Sequence, residues 1–242
     1  MIAIKIENLT KRYRNIVAVD NLSLSIEEGE LFSLLGVNGA GKTTTIKMLS
    51  CLTVPTEGDA LLLGKSIVKE SGEVKRLIAV SPQETAVAPL LSAEENLALI
   101  CGLHGFSKEK CEEKIRELTE LLGLRDILKR KAGKLSGGWQ RRLSIAMALI
   151  SEPKILFLDE PTLGLDVIAR SDLWDIIRAL KGKVTIILTT HYMEEAETLS
   201  DRIGIMRNGR LLLADTAESI KKTAKTDSFE EAFVRIVKGV AK

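Results

Sequence analysis

Short apolar runs separated by polar turns make up both ends of the chain, and most of these runs have the length of a β-strand. Their residues are mostly β-branched or leucine, and several runs are apolar throughout, which is typical of strands buried on both faces of a sheet. The pattern predicts an α/β protein with a mainly parallel sheet core and an antiparallel β element near the N-terminus. The runs occupy residues 2–6, 17–26, 31–35, 60–63, 155–158, 184–188 and 202–206.

The middle of the chain, residues 92–151, has a different pattern. Apolar residues recur there at helical spacing, and convincing strand runs are absent. We therefore expect a helical subdomain over residues 92–151, inserted into a sheet core that comprises residues 1–91 and 152–215. The recurring apolar residues are Leu97, Ile100, Cys111, Ile115, Leu118 and Leu122.

A last helical segment is predicted over residues 216–242. Ser228 followed by Glu231 indicates a capping box, and the apolar residues around it form the stripe of a short terminal helix. Packing of this helix on its own domain is the favoured interpretation, and contact with a partner is the alternative. The stripe consists of Phe229, Phe233, Ile236 and Val237.

The charge and composition argue against nucleic acid as a partner. The chain has 242 residues, with 35 Lys+Arg against 33 Asp+Glu, so its formal charge of +2 is too small to indicate a polyanionic partner. Only 4% of the residues are aromatic, which is too few for the stacking platforms that single-stranded nucleic acids need. We therefore expect no nucleic-acid partner.

Cysteine spacing and hydropathy exclude several further classes. Cys51, Cys101 and Cys111 are widely spaced and form no CxxC pair, so the sequence predicts neither a disulfide framework nor a zinc site. No apolar run approaches the roughly 18 to 20 residues of a membrane-spanning helix. If the protein works at a membrane, we expect another chain to supply the spans.

A glycine-rich loop follows the apolar run at residues 31–35 and precedes a helical stretch. It matches the pattern G-x-x-x-x-G-K-[ST], in which backbone N–H groups surround phosphate oxygens at a helix N-terminus. In this pattern Lys42 reaches the β and γ phosphates, and the Thr43 hydroxyl ligates Mg²⁺. A glycine-rich turn without a ligand is the alternative. The loop consists of Gly36, Val37, Asn38, Gly39, Ala40, Gly41, Lys42 and Thr43.

Two carboxylates end the apolar run at residues 155–158. Asp159 and Glu160 follow it directly, and open α/β sheets bind ligands at the carboxyl ends of their parallel strands. Asp159 can hold Mg²⁺ there, and Glu160 can polarise a water molecule. A buried strand followed by a solvated acidic turn is the alternative.

A second anion site is indicated at the start of another predicted helix. The segment Leu135, Ser136, Gly137 and Gly138 places a hydroxyl and glycine amides at a positively polarised helix N-terminus, in what looks like the longest helix of the 92–151 region. Taken alone, this segment is also compatible with a simple helix cap and turn.

Together these motifs resemble those of the ABC ATPases, and the resemblance covers essentially the whole chain. The glycine-rich loop resembles Walker A, residues 155–160 resemble Walker B, and residues 135–138 resemble the signature motif. Gly164, Leu165 and Asp166 follow as in that family. The resemblance implies a P-loop NTPase parallel sheet core with an N-terminal antiparallel β element and an inserted helical subdomain. It also implies ATP and Mg²⁺ as cofactors.

The resemblance assigns roles to further residues. Gln83 resembles the Q-loop glutamine, which serves catalysis and Mg²⁺, and His191 resembles the switch histidine. Tyr13 resembles the aromatic residue that stacks on adenine, and Thr44 continues the phosphate-binding loop. Each position has a plain alternative: a loop glutamine, a hydrogen-bonded structural histidine and a surface tyrosine.

One position departs from the family pattern. Trp139 occupies the fifth signature position, where glutamine is usual, and Gln140 follows it. Ser136 and Gly138 are expected to keep their phosphate contacts, whereas a contact of the fifth side chain is in doubt. The basic run at residues 129–131 is interpreted as a solvated face.

The resemblance further implies that two cassettes pair head to tail, and a homodimer is expected. Each ATP then lies between the Walker A loop of one chain and Ser136 of the other, and Asp166 senses the interface. The cassette is expected to be cytoplasmic and held on the inner face of the cell membrane by an integral membrane permease, with residues 83–102 transmitting the motion. The C-terminal pattern resembles cassettes of exporters. A soluble ABC ATPase serving a non-transport assembly is the alternative, and a P-loop kinase or GTPase does not account for the signature motif.

Overall fold

The computed structural model describes residues 1–239 of the chain; residues 240–242, the end of the predicted C-terminal helical segment, lie outside the described residues. Ten strands form two sheets in this part of the chain. The N-terminal sheet is antiparallel and has the order β2-β1-β4-β5. Its strands are β1 (Ile2–Tyr13), β2 (Ile16–Glu27), β4 (Glu57–Leu62) and β5 (Lys65–Ser66).

The larger sheet has six strands in the order β10-β9-β3-β8-β7-β6, and all neighbours are parallel except β9 and β10. Every residue of β3, β7 and β8 is buried, because helices and the second sheet cover both faces. Its strands are β3 (Leu31–Gly36), β6 (Ile78–Ser81), β7 (Ile155–Asp159), β8 (Thr185–Thr190), β9 (Arg202–Arg207) and β10 (Arg210–Asp215).

Nine α-helices connect the strands of the described residues, with short 3-10 turns at Arg125–Ile127 and Ala132–Lys134. Helices α1 (Lys42–Leu49) and α2 (Ser71–Leu77) precede the 92–151 region. That region contains α3 (Ala93–Leu103), α4 (Lys108–Leu122) and α5 (Gly137–Leu149). The helices that follow are α6 (Val167–Leu180), α7 (Met193–Leu199), α8 (Ala217–Thr223) and α9 (Phe229–Lys238).

The helices of the 92–151 region share a hydrophobic core with the larger sheet. Ser92 and Glu95 form a reciprocal capping box at the start of α3, so this helix begins where its side chains satisfy the first backbone donors. Leu97 and Leu143 lie in one continuous buried cluster with Leu156 and Leu188 of the sheet. The region is therefore anchored on the strands that carry the Walker B residues. That residues 92–151 form a separate subdomain stays a prediction.

Several sequence-based expectations differ from the observed elements. Strands β5, β6 and β10 carry no long apolar run, and they are strands because their backbone pairs with β4, β7 and β9. The longest helix of the 92–151 region is α4, with 15 residues, and not α5, with 13. Helix α5 begins at Gly137, after the 3-10 turn at Ala132–Lys134, and ends at Leu149.

The C-terminal helices pack on the larger sheet. Ser228 Oγ accepts from the Glu231 amide as predicted, but the Ser228 amide donates to Thr226 Oγ1, so the reciprocal half of the predicted capping box is wrong. Phe229 and Phe233 are buried with Ile203 of β9 in one cluster, in agreement with packing of α9 on its own domain. Among residues 1–239, the helices are too short or too polar to cross a bilayer.

Candidate nucleotide-binding site

A cavity of about 720 Å³ lies at the carboxyl ends of the parallel strands. The loop between β3 and α1 forms its floor, and the ends of β7 and β8 form one wall. Open α/β sheets place their ligand sites at this edge, where the strand order reverses. From the predicted loop it collects Asn38, Gly39, Ala40, Gly41, Lys42, Thr43 and Thr44, and from other segments Gln83, Glu160 and His191.

The loop is packed so closely that two of its glycines cannot be replaced without movement. Gly41 has a φ of +106°, and a Cβ there would lie 2.5 Å from the carbonyl oxygen of Ala18. A Cβ on Gly36 would lie 2.6 Å from the carbonyl oxygen of Met206. The amide of Gly209, in the β9–β10 turn, donates to Ala40 O at 3.0 Å. The loop is therefore held between β2 and the β9–β10 turn.

Lys42 is the buried cation of the cavity. It is the first residue of α1, and its Nζ donates to Gly36 O at 2.8 Å and to Val37 O at 3.4 Å. Glu160 Oε1 lies 3.4 Å from the same nitrogen. The loop thus folds around its own ammonium group, which is the arrangement that surrounds phosphate oxygens in P-loop proteins.

Asp159 and Thr43 bring hard oxygen donors together beside the loop. Thr43 Oγ1 donates to Asp159 Oδ1 at 3.2 Å, and the Thr189 hydroxyl donates to the same oxygen. Carboxylate and hydroxyl oxygens suit Mg²⁺, which takes few protein ligands and relies on substrate phosphates and water for the rest. The residues present therefore fit Mg²⁺.

Glu160 is held from several sides. Its backbone lies in the left-handed region, with φ 46°, and its amide donates to Thr189 O at 3.0 Å. Its Oε2 lies 3.0 Å from His191 Nδ1, while Oε1 faces Lys42. A non-glycine residue in this conformation is strained by roughly 1–3 kcal/mol, and such strain is concentrated at functional sites. Glu160 and His191 thus form a preorganised pair at the cavity wall.

Two further predicted residues have different positions relative to this cavity. Gln83 is exposed and lines it. Tyr13 lies outside its lining, with the Lys11 Nζ 5.0 Å from the centre of its ring. Its neighbour Ile16 does line the cavity. Tyr13 is therefore next to the cavity mouth, and its stacking role stays a prediction.

The signature residues surround a second cavity, of about 260 Å³. Ser136, Gly138 and Asp166 line it together with Trp139. The Ser136 side chain makes no capping hydrogen bond to α5, whereas Asp166 caps α6 by accepting from the Ala169 amide at 2.9 Å. The structure therefore divides the predicted residues between two sites on one chain.

Trp139 forms part of the second cavity through a stacked pair. Its ring centre lies 4.6 Å from the guanidinium carbon of Arg142, and Arg142 donates to Asp172 Oδ2 at 2.5 Å. This stacked pair holds the side chain of Trp139, the residue that departs from the usual signature pattern, against α6. Sequence reasoning did not identify Arg142 or Asp172, because these two partners are thirty positions apart in the sequence.

The first cavity also contains residues that sequence reasoning missed. Ile16 and Val17 are exposed apolar residues at the start of β2, and no sequence signal indicated their place in the cavity, because the apolar pattern marks Val17 only as the start of a strand run. Leu163 and Asn208 come from segments that no motif marked. Asn208 precedes Gly209 in a tight turn, which gave no indication of proximity to the loop.

The structure combines three features: a phosphate loop before α1, a pair of carboxylates at the end of β7, and a separate glycine-rich start of α5. Together they define an ATP-binding cassette ATPase. A match of residues 19–163 to the family described as ABC transporter agrees with this class. The chain belongs to the ABC transporter family, and this confirms the sequence-based identification together with the α/β fold class.

Curated relatives carry related names. The chain is 41% identical over 239 residues, 98% of its length, to the doxorubicin resistance ATP-binding protein DrrA of Mycobacterium tuberculosis, of which it covers 72%. It is 37% identical over 240 residues, 97% of its length, to the probable multidrug ABC transporter ATP-binding protein YbhF of Escherichia coli. The chain spans 41% of the length of this second relative.

Solved structures share the fold. The structure of an ATP-binding subunit of an ABC transporter matches with a TM-score of 0.85 at 28% identity, covering 97% of this chain and 99% of the other. A dimeric ATP-binding cassette in a post-hydrolysis state, bound to ADP and Pi, matches with a TM-score of 0.79 at 29% identity. That match covers 88% of this chain and 98% of the other.

Proposed function

We propose that this cassette binds and hydrolyses ATP to drive a separate membrane subunit. The observation that carries the proposal is the position of Glu160, whose carboxylate lies between the phosphate-loop lysine and His191. A carboxylate in this place can orient a water molecule beside a γ-phosphate that the loop holds. Positioning and charge neutralisation of this kind account for most of the catalysis of phosphoryl transfer.

Binding of ATP rests on the loop at residues 36–43 together with Thr44. The backbone amides and the α1 N-terminus surround the phosphates, and Lys42 exchanges its contacts with Gly36 O and Val37 O for phosphate oxygens. Tyr13 and the exposed apolar pair Ile16 and Val17 lie where they can cover the adenine. Thr43 and Asp159 would hold Mg²⁺, with Gln83 available from the cavity lining, and the ion would supply positive charge that neutralises phosphate oxygens.

Hydrolysis follows from the geometry around Glu160. The carboxylate and His191 orient a water molecule so that its oxygen bonds to the γ-phosphorus while the bond to the β–γ bridging oxygen breaks. ATP and water give ADP and inorganic phosphate. Lys42 stabilises the charge that develops on the transferred group, because it is a buried cation at that position.

Each ATP site needs a second cassette, since the signature cavity of a chain is separate from its own phosphate-loop cavity. In a head-to-tail pair, Ser136 and Gly138 of one chain face the ATP held by the other, and Asp166 lies at the interface. The dimeric cassette of similar fold supports this arrangement. A homodimer is the simplest form of the pair.

The membrane partner is an integral permease, and the cassette lies on the cytoplasmic face of the cell membrane through that partner. The relatives are named for multidrug transport and doxorubicin resistance, which favours export. Leu90 and Leu99 are exposed, so residues 83–102 offer apolar surface for the contact, and the exposed Leu103 at the end of α3 extends it.

The test uses purified protein and two variants. Lys42→Ala should lower the rate of ATP hydrolysis by at least about 100-fold, because it removes a charge that acts on the transition state. Glu160→Gln should also stop turnover but retain ATP, and light scattering should then show a dimer that depends on MgATP. Unchanged turnover in Lys42→Ala would overturn the proposed ATP site. A Glu160→Gln protein that remains monomeric with saturating MgATP would overturn the homodimer proposal.

A further inference from the structure

Arg141 of α5 is a buried basic residue that the proposed mechanism does not use. It is 4% exposed, and its guanidinium donates to main-chain carbonyl groups. One nitrogen, Nη1, donates to Pro82 O at 2.5 Å, and the other, Nη2, donates to Gln83 O at 2.6 Å. The planar guanidinium thus bridges two successive peptide groups of one loop, which a smaller cation does less rigidly.

The position of Arg141 is energetically expensive. Burial lowers the pKa of its guanidinium, and the charges of Asp159 and Glu195 act in the opposite direction. Because arginine stays charged in proteins, its desolvation has to be offset by these partners. An apolar side chain would fill the same face of α5 at lower cost, so packing alone does not account for arginine here.

The loop that Arg141 holds carries Gln83, which lines the phosphate-loop cavity. Two further contacts join the same segments. Ser81 Oγ lies 3.0 Å from Ser144 Oγ, and Thr85 Oγ1 lies 3.4 Å from Gln140 Oε1. Helix α5 and residues 81–85 are therefore fastened together at successive points along the chain.

The N-terminal end of α5 forms part of the other cavity. Ser136 and Gly138 line it one turn before Arg141, and a helix transmits a displacement of one turn to the next as a rigid body. Arg141 is thus attached on one side to the residues of the first cavity and on the other to those of the second.

We propose that Arg141 is a positioning residue that couples the two ATP sites of a cassette pair. The inference rests on the proposed head-to-tail function, in which Gln83 serves the ATP of its own chain and Ser136 serves the ATP of the other. When Gln83 moves on ATP binding, Arg141 carries α5 and Ser136 with it. Occupation of one site then changes the affinity of the second, and hydrolysis becomes cooperative in ATP.

The experiment measures the rate of hydrolysis against ATP concentration for wild type, Arg141→Met and Arg141→Lys. Wild type should have a Hill coefficient above one. Arg141→Met should bring it to about one and lower kcat about tenfold, a loss within the usual range of coupling between sites. Binding of a fluorescent ATP analogue to the monomer should stay within about twofold, because Arg141 does not line the phosphate-loop cavity.

Arg125→Met is the matched control. Arg125 lies in the same region, is exposed and pairs with Glu120, so its loss should leave the Hill coefficient and kcat as in wild type. Arg141→Lys keeps the charge and can still donate to one of the carbonyls, so its Hill coefficient should lie between those of wild type and Arg141→Met. This variant also serves as the test if Arg141→Met does not fold.

A purely structural role gives a different result. It would lower the thermal midpoint and the active fraction of Arg141→Met, but the Hill coefficient would remain that of wild type, and this outcome overturns the inference. A wild-type protein that hydrolyses ATP with a Hill coefficient of one also overturns it. If the wild-type protein does not hydrolyse ATP and the Glu160→Gln protein does not form dimers, the proposed function is rejected instead.

Discussion

Tyr13 is the residue whose predicted role differs most from its observed surroundings. Its side chain is 44% exposed, and it packs under Lys11 rather than in the lining of the phosphate-loop cavity. It is the last residue of β1 and precedes a tight turn that leads to Ile16, which does line the cavity. An aromatic ring at this place can cover a base that extends out of the cavity.

If Tyr13 stacks on adenine, substitution should affect ATP binding according to the aromatic character of the new side chain. Tyr13→Ala should weaken binding by roughly 1–3 kcal/mol, whereas Tyr13→Phe and Tyr13→Trp should bind ATP about as well as wild type. Equilibrium titration with ATP, and with inorganic triphosphate as a ligand without a base, measures this. Equal affinities in all three variants would identify Tyr13 as a surface residue.

Sequence reasoning identified residues that belong to a contiguous chemical pattern. Lys42 and Asp159 could be predicted because a phosphate loop and a strand-end carboxylate can each be recognised from a few consecutive residues. Arg141 could not, because its neighbours in the sequence are those of an ordinary amphipathic helix and its role depends on carbonyl groups 58 and 59 residues away. The same reason applies to Asn208, whose proximity to the loop is a tertiary property.

At the scale of elements, Glu195 of α7 joins three segments around the site. It is fully buried, and its Oε1 accepts from Trp174 Nε1 of α6 at 3.0 Å. Thr162, which follows β7, and Thr190, at the end of β8, lie near this carboxylate, but among the described residues its Oε2 and the Thr162 hydroxyl have no hydrogen-bond partner. Burial is the largest effect and raises the pKa of Glu195 above its ordinary value.

The raised pKa predicts how Glu195→Gln changes the pH dependence of stability. The native state binds the Glu195 proton more tightly than the unfolded state, so the carboxylate lowers the free energy of unfolding as the pH rises from the ordinary value through the raised one. Glutamine keeps the acceptor for Trp174 and removes the charge. The variant should therefore gain stability relative to wild type as the pH rises from the ordinary glutamate pKa towards neutral pH.

Urea unfolding of both proteins across that range measures the difference. Glu194→Gln is the matched control, since Glu194 is the exposed neighbour of Glu195 on α7 and its loss should produce little pH-dependent change. A difference between wild type and Glu195→Gln that stays constant with pH would show that the carboxyl is already neutral, or equally ionised, in both states.

The pattern of apolar residues predicted the strands that are buried on both faces. It missed the strands that are ordered mainly by backbone hydrogen bonds to a neighbouring strand. Strands β3, β7 and β8 contain apolar runs with few polar interruptions, so their sequences indicate burial on both faces. Strand β10 alternates between exposed and partly buried residues and is ordered by its ladder to β9. Strand β6 has four residues, too few for any periodic signal.

At the scale of the whole molecule, head-to-tail pairing predicts that defective cassettes complement one another. A Lys42→Ala chain has an intact signature cavity, and a Ser136→Arg chain has an intact phosphate loop. In the Glu160→Gln background each protein alone should lack the ATP-dependent dimer, because every composite site has one damaged half. A mixture should form dimers, since one of its two sites is then complete.

Light scattering of the two proteins, separately and mixed, with and without MgATP, measures this effect. Monomer ATP binding by the Ser136→Arg protein should remain within about twofold of the parent, because the substitution lies outside the phosphate-loop cavity. Dimers of Ser136→Arg alone, or a mixture that stays monomeric, would contradict the head-to-tail arrangement.

The strand order of the larger sheet also determines when the ATP site can exist during protein synthesis. Strand β3 is made early but lies between β8 and β9, and the cavity lining extends from Ile16 to Asn208. At roughly 5–20 residues per second, a ribosome needs on the order of ten seconds or more to make the segment between the phosphate loop and that last wall. For most of this time β3 lacks both of its neighbours, because β8 begins at Thr185 and β9 at Arg202. Nascent cassettes should therefore depend on chaperones at this stage, and ATP can stabilise them only after nearly the whole sheet has been translated.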